Sequence, residues 1–526
     1  MFPMRLSALL SVLCLSVSLS AANDIHSALG VTRQGNAIPC VLTPEALNPA
    51  SDKPRVLLIG GLDGRSDSVA AVAATLQAWR ADAQVQQRVA VSAVPNARPD
   101  ASALAMTFPP PGEAYLKPET DAAHYLWRWI GLQAPDLVLI VAAAGDASAA
   151  SLAKALGETA PGGMGTIPAT VIATGSPVTL PATIAPSPAR QEWWRRVART
   201  PVAVATELAQ VYGQKMDPVV YIPALAVVGR VRLGELTGDA TALADAERIG
   251  TPFRDGAKES MPANGNGSTI SGHLLFSELA RRTGNAQWTA LAKKAADYGF
   301  EADGRPKASM PFHSEMSDSV FMGCAILAEV GALTGEKKYV EQCLRHLRFM
   351  EALCLRPDGI YRHSPLDEAA WGRGNGFPAL GHALSLSALP ADSPEHAAFL
   401  ASYRQHLQAL KKHQDPTGAW HQVIDHPESY AEFTSTCMIS FAIVRGLRRG
   451  WMEATEWQPV VEKAWTAIKS RIGPEGQLVD VCTGTGKMKS LRDYYDRTAI
   501  LGRDERGGAM ALMLATELAF WQRERR

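Results

Sequence analysis

The stretch "ALTGEKKY" (Ala332–Tyr339) closes one helical segment and opens another. Gly335 suits the left-handed position that ends a helix, and the polar residues around it suit the start of the next. The same turn occurs in "RRTGNAQW" around Gly284 and in "ELTGDATAL" around Gly238, so the glycines recur 51 and 46 residues apart. Further turns follow near Ala391 and Gly450. Self-similarity at about 50 residues marks a repeated supersecondary unit. Between the turns apolar residues keep a helical period, and strand signals almost vanish after residue 196. Twelve helices are expected, at roughly 201–213, 217–236, 239–249, 271–283, 286–299, 317–334, 336–355, 377–389, 395–412, 431–448, 456–471 and 507–522. Six helix pairs with the last meeting the first predict a closed (α/α)6 toroid; an open solenoid is the alternative. The even-numbered helices, such as "PVVYIPALAVVG" and "GGAMALMLATELAF", are the more apolar and are expected inside.

The chain before residue 196 has a different pattern. Short apolar runs ("RVLLIGG", "RVAVSAVP", "DLVLIVAAAG", "ATVIATG") alternate with helical stretches ("DSVAAVAATLQAWR", "AAHYLWRWIGL"). That pattern predicts a mostly parallel sheet covered by helices over residues 26–190. The Pro/Ser/Ala-rich "GSPVTLPATIAPSPAR" then reads as a linker. The expected architecture is therefore multidomain: an N-terminal α/β domain, then an all-α toroid over 196–526.

Residues 1–22 read as a secretory signal peptide. "MFPMR" carries a positive charge, "LSALLSVLCLSVSLS" is apolar but short, and Ser20 and Ala22 suit cleavage. The mature protein is thus expected to be exported, periplasmic or extracellular. Of 526 residues, 52 are Lys or Arg and 52 are Asp or Glu. With no net charge, no global field draws the chain to nucleic acid or to an acidic membrane, and neither is expected as a partner. Of the seven cysteines, none forms a CxxC pair or a zinc spacing. Cys343 and Cys354 share one expected helix about 16 Å apart, too far for a disulfide. The cysteines read as buried small apolar residues.

The loops are lopsided. Segments 250–270, 300–316, 356–376, 413–430 and 472–506 are long and polar, and all precede expected inner helices. They therefore share one face, where helix N-termini also gather, and a ligand site is expected there. "WGRGNGF" (Trp371–Phe377) ends one such loop. Its glycines allow close backbone approach, Trp371 offers a flat face for a sugar ring, and Arg373 a planar fork for a carboxylate.

Along the chain stand, in order, "MSDSVFMG", "DGIYRHS", "WGRGNGF", "GAWHQVIDHPESYAEFTSTCM" and "TGTGKMKSLRDYYDRTAILGRDERGGAMALMLATE". Together they resemble the unsaturated uronyl hydrolases of glycoside hydrolase families 88 and 105, especially the unsaturated rhamnogalacturonyl hydrolases, over about 300 residues from residue 200 onward. The resemblance implies a substrate with a 4,5-unsaturated uronic acid at its non-reducing end, left by a polysaccharide lyase acting on a pectin-like polymer. It implies hydration of the C4=C5 bond, with Asp318 as catalytic acid and base. It places His363, Trp371, Arg373, Gln422 and Thr434 around the sugar, with no metal or cofactor. Glu432, Tyr494, Arg497 and Asp504 are expected to cap helices or knit loops. One departure stands out: the family commonly has a second Asp where "ANGNGSTISGHLL" offers only Asn264, Asn266, Ser268 and Thr269. A catalytically impaired glycan-binding protein on the same fold is therefore the competing expectation, with a sugar epimerase or lyase behind it. The N-terminal part faintly resembles the zinc carboxypeptidase fold through "GGLDGRS", "VPNARPD" and "DLVLIVAAAGD"; the ligand positions hold Asp63, Ser66 and Ala142, so no metal is expected there either.

Overall fold

The computed structural model describes residues 24–101, 104–112 and 121–525; the expected signal peptide lies outside the described residues. The N-terminal part runs β1 (Ile25–Val31), β2 (Ala37–Leu42), α1 (Pro44–Leu47), β3 (Arg55–Ile59), α2 (Ser66–Ala81), α3 (Ala83–Arg88), β4 (Ala90–Val94), α4 (Asp121–Gln133), β5 (Leu137–Ala142), α5 (Ala147–Glu158) and β6 (Ala169–Ala173). These strands form one sheet in the order β1-β2-β4-β3-β5-β6. The four apolar runs of the sequence are its parallel part, β4-β3-β5-β6. Strands β3, β4 and β5 are buried along their whole length, which is why they read as continuous apolar runs. The antiparallel hairpin β1–β2 escaped the sequence reading because it carries no such run. At the carboxyl end of β3, Asp63 accepts from Ser68 Oγ (2.7 Å) and Arg65 N (3.1 Å) through Oδ1, and from Ala143 N (3.0 Å) through Oδ2. Its carboxylate ties the loop after β3 to the loop after β5.

The expected linker ends earlier than its composition suggested. Ser187 Oγ accepts from Arg190 N and starts α6 (Pro188–Ala198), with Pro188 in the first turn. Asp136 holds the Ser187 N–H at 2.9 Å, and Arg55 lies 4.3 Å above the Trp193 ring. The end of the stretch is thus docked on the sheet.

The remaining elements are α7 (Pro201–Ala209), α8 (Tyr221–Thr237), α9 (Thr241–Arg254), α10 (Gly267–Gly272), α11 (Leu274–Thr283), α12 (Ala286–Ala296), α13 (Ser319–Thr334), α14 (Lys337–Cys354), α15 (Gly372–Ala388), α16 (Pro394–Lys411), β7 (Trp420–His421), β8 (Ala431–Glu432), α17 (Phe433–Arg448), α18 (Ala454–Ser470), β9 (Leu478–Cys482), α19 (Leu491–Tyr495), β10 (Ala499–Gly502) and α20 (Glu505–Glu524). All twelve expected helices are present, with two adjustments. The fourth is broken at His273 into α10 and α11. The eighth starts at Gly372, so the glycine-rich motif is itself helical. The short pairs β7–β8 and β9–β10 lie inside long loops and gave no sequence signal.

Helix α8 packs on α10 and α11, these on α13, then α15, α17 and α20 follow, and α20 returns to α8. The inner helices therefore close a ring, and the solenoid alternative falls away. Gly238, Gly284 and Gly335 take φ of 78°, 68° and 71° and close α8, α11 and α13 as the repeat required. Inner helices touch backbone to backbone: a Cβ on Gly381 of α15 would lie 2.7 Å from the Phe321 Cα of α13. At the C-terminal ends of the inner helices, Glu517 accepts from Arg445 (2.5 and 2.7 Å) and Arg448 (2.7 Å). Glu278 accepts from Arg281 (2.6 Å) and Arg282 (3.0 Å) there too. Arg232 stands between the two carboxylates at 3.6 and 3.9 Å. The six described cysteines are buried and free. No helix among the described residues is long and apolar enough to cross a membrane.

Candidate active site

The inner helices begin at Val220, Asn266, Asp318, Trp371, Glu432 and Asp504. A helix start leaves backbone N–H groups unpaired, and short polar side chains normally satisfy them. Asn266 does so for Ser268 N (2.9 Å), Glu432 for Thr434 N (3.0 Å) and Asp504 for Arg506 N (2.8 Å). Asp318 does not: its backbone is already helical (φ −51°, ψ −29°) and its side chain makes no capping bond. The N–H groups of Val320 and Phe321 are satisfied by the carbonyls of Ser317 and Asp318. Ser317 is itself pinned, donating from Oγ to Gly374 O (2.6 Å) and from N to His363 O (2.9 Å). The Asp318 carboxylate is thus released from backbone duty while only 5% of the residue remains exposed.

Around it stand the other expected residues. Asp318 Oδ1 lies 3.2 Å from His363 Nε2, within ion-pair reach but out of line for a hydrogen bond. The His363 ring lies 4.5 Å from that of Trp371, centroid to centroid, and Arg373 stacks on Trp371 at 4.8 Å. Arg373 corrects the sequence reading. Its Nη1 and Nη2 donate to the carbonyls of Cys482 (2.6 Å) and Thr483 (2.7 Å), so the fork assigned to a substrate carboxylate is occupied by the last loop. Gln422 Nε2 donates to Tyr494 O (3.1 Å) and contacts Cys482 Sγ (3.3 Å). Thr434 donates its N–H to Glu432, which also accepts from Cys482 N at 2.9 Å.

Each of these six side chains keeps one buried polar atom without a hydrogen-bond partner among the described residues: Asp318 Oδ1, His363 Nε2, Trp371 Nε1, Arg373 Nε, Gln422 Oε1 and Thr434 Oγ1. Buried polar atoms are normally paired, so these six are free to serve a polar ligand or its water.

Residues the sequence reading missed or undervalued complete the site. Tyr494, expected only to knit its loop, places its hydroxyl 2.9 Å from His363 Nδ1. Tyr221 opens α8 at the same mouth; burial pushes its phenol up to about 12, with Arg373 pulling it down and Asp318 pushing it up. The signal for Tyr221 was available, since it begins an inner helix as Asp318 does. Glu432 is a cap, as expected; Asp504, expected to knit the last loop, caps α20. In the segment where the family commonly has a second Asp, Asn266 spends its side chain on a capping box. Among the described residues no group of three or more His, Cys, Asp or Glu side chains could hold a metal ion.

Comparison with known proteins bears on the family and the fold. The model of Glycosyl Hydrolase Family 88 matches residues 193–521. The unsaturated rhamnogalacturonyl hydrolase YesR of Bacillus subtilis (strain 168) is 26% identical over 252 residues, covering 44% of this chain and 71% of the relative. An unsaturated 3S-rhamnoglycuronyl hydrolase of Alteromonas sp. (strain LOR) is 25% identical over 219 residues, covering 39% of this chain and 51% of that one. Among solved structures, a possible member of the GH105 family from Salmonella enterica subsp. enterica serovar Paratyphi A str. ATCC 9150 superposes with TM-score 0.52 at 22% identity, covering 66% of this chain and 98% of that one. A family 88 glycosyl hydrolase from Bacteroides vulgatus gives TM-score 0.52 at 17% identity, with 61% and 100% covered. These two share the ring fold. Since the family match takes in every inner helix and well over half of the chain, the protein belongs to Glycosyl Hydrolase Family 88 and is a glycoside hydrolase.

Proposed function

We propose that this hydrolase removes a 4,5-unsaturated uronic acid from the non-reducing end of lyase-generated oligosaccharides, as the names of its relatives suggest. The observation that carries the reading is the uncapped, buried Asp318 carboxylate set among side chains with unpaired polar atoms. Asp318, as the acid, gives its proton to C4. Water adds to C5 and returns its proton to the Asp318 carboxylate. The resulting hemiketal opens to a ketone, and the hemiacetal left at C1 releases the neighbouring sugar. No nucleophile at the anomeric carbon is needed, unlike two-carboxylate hydrolysis. Trp371, on whose ring Arg373 stacks, offers its unpaired Nε1, while His363, Gln422 and Thr434 offer hydrogen bonds to the sugar. Arg373, its fork engaged, holds the last loop in place and keeps only Nε unpaired. The division into an exported leader, an α/β domain and a catalytic ring belongs to the same reading.

The test is incubation with an unsaturated uronide disaccharide, following the ultraviolet absorbance of its double bond. The expected result is loss of absorbance, and a drop of roughly 10²–10⁴ in kcat for Asp318→Asn, the usual worth of a general acid–base group. Full turnover by Asp318→Asn removes that residue from the role. Binding without bleaching replaces the hydrolase with a glycan-binding protein, and a rise in absorbance on the parent polymer replaces it with a lyase.

A further inference from the structure

The N-terminal sheet layer touches the ring at the loop that completes the active site. Helix α4 of that layer carries Arg128, which is 1% exposed. Its Nη1 donates to Ala499 O of β10 at 3.0 Å and lies 3.5 Å from Asp480 Oδ1 of β9. Asp480 holds φ at 63°, a left-handed backbone uncommon outside glycine, though Asp and Asn enter it more readily than other residues. The turn of the β1–β2 hairpin grips the middle of the same loop. Arg492 of α19 donates to Thr32 O (2.6 Å), and Arg33 pairs with Asp496 (2.7 Å). These two contacts flank Tyr494 in sequence.

Tyr494 in turn decides the protonation geometry beside Asp318. Its oxygen accepts from Met488 N at 3.2 Å and lies 2.9 Å from His363 Nδ1, which places its own O–H to donate to that nitrogen. Burial pushes the phenol up to about 12, so it keeps its proton at neutral pH. A donor at Nδ1 leaves the imidazole proton on Nε2, the nitrogen facing Asp318 Oδ1 at 3.2 Å.

We infer that Arg128 is a positioning residue for the reaction: it anchors the 478–502 segment so that Tyr494 holds His363 as the Nε2–H tautomer against Asp318. The α/β layer is then a working part of the active site. This rests on the proposed role of Asp318, but its tests separate from that role.

The experiment is a double-mutant cycle on the full chain with Arg128→Gln and Tyr494→Phe. Each single variant is expected to lower kcat on the order of ten-fold, as small misplacements of reacting groups do, with KM within about two-fold. The double variant is expected to be no slower than the worse single, because both changes act through one contact. Arg128→Lys, which keeps a donor, is expected to recover part of the loss. A second readout does not depend on turnover. The ¹⁵N shifts of His363, assigned by difference with His363→Asn, should report Nε2–H in the wild type and a tautomer mixture in both variants. Multiplying kcat losses, or an unchanged tautomer in folded Arg128→Gln, overturns the inference. A wild type that holds the tautomer but bleaches no disaccharide sinks the proposed function and leaves the positioning geometry standing.

Discussion

Ring closure rests on two buried glutamates, and Glu517→Gln tests it quantitatively. Burial disfavours the Glu517 charge, yet Arg445, Arg448 and Arg232 outweigh it and bring its pKa from 4.5 down to about 2. Glu278, 3% exposed, is brought to about 2 in the same way by Arg232, Arg281 and Arg282. A depressed carboxylate pKa means that the folded state binds the proton more weakly than the unfolded chain. The stabilisation is therefore complete above about pH 4.5 and drains away as pH falls toward 2. A shift of about 2.5 units corresponds to about 3 kcal/mol, of which about 2 kcal/mol is gone by pH 3. Glu517→Gln lacks this pH-dependent part and leaves Arg445 with a weaker partner, so at pH 7 it should unfold about 3–5 kcal/mol more easily. The assay is urea unfolding by far-ultraviolet circular dichroism for both proteins at pH 7, 5, 4 and 3. The gap between them should hold from pH 7 to 5 and narrow by about 2 kcal/mol at pH 3. Parallel pH profiles, with a gap constant to within about 0.5 kcal/mol, would refute the reasoning that Glu517 is a charged keystone between α20, α17 and α8.

Other consequences can be checked with the same tools. Gly381→Ala should destabilise by about 1–3 kcal/mol or more in urea unfolding, because the new methyl meets α13 backbone, which has no side-chain rotamer with which to yield. A wild-type midpoint would mean that the inner helices are not in backbone contact. Arg373→Lys replaces a two-pronged donor by a point donor, and the carbonyls of Cys482 and Thr483 cannot both be held. Steady-state kinetics should show kcat/KM falling on the order of ten-fold through loss of positioning in the last loop, and wild-type kinetics would exclude that role.

The twelve helices were legible because each buries an apolar stripe with a 3.6-residue period and ends in a glycine or polar turn, and both signals are local. The parallel strands were legible for a similar reason: three of the four are buried on both faces and read as apolar runs. Four of the six short or antiparallel strands, β7 to β10, are stretches of two to five residues inside loops, too brief for a period to register. The same locality explains the site. Asp318, His363 and Trp371 stand in motifs that could be read one at a time, and the structure brings them into contact.

By itself, then, the sequence determined the twelve helices of the ring, their alternation between inner and outer layers, and the face on which the long loops gather. Only tertiary structure decided what each polar side chain has left to offer. Arg373 and Asp318 read alike as free charges in the chain, yet one spends its fork on carbonyls about 110 residues away while the other is excused from capping. His363 meets Tyr494 across 131 residues, and Arg128 reaches Ala499 across 371. A hydrogen bond depends on where two groups end up in space. Sequence periodicity sets which face a residue occupies, but the partner on that face comes from whichever segment the closed ring and the sheet layer bring to it.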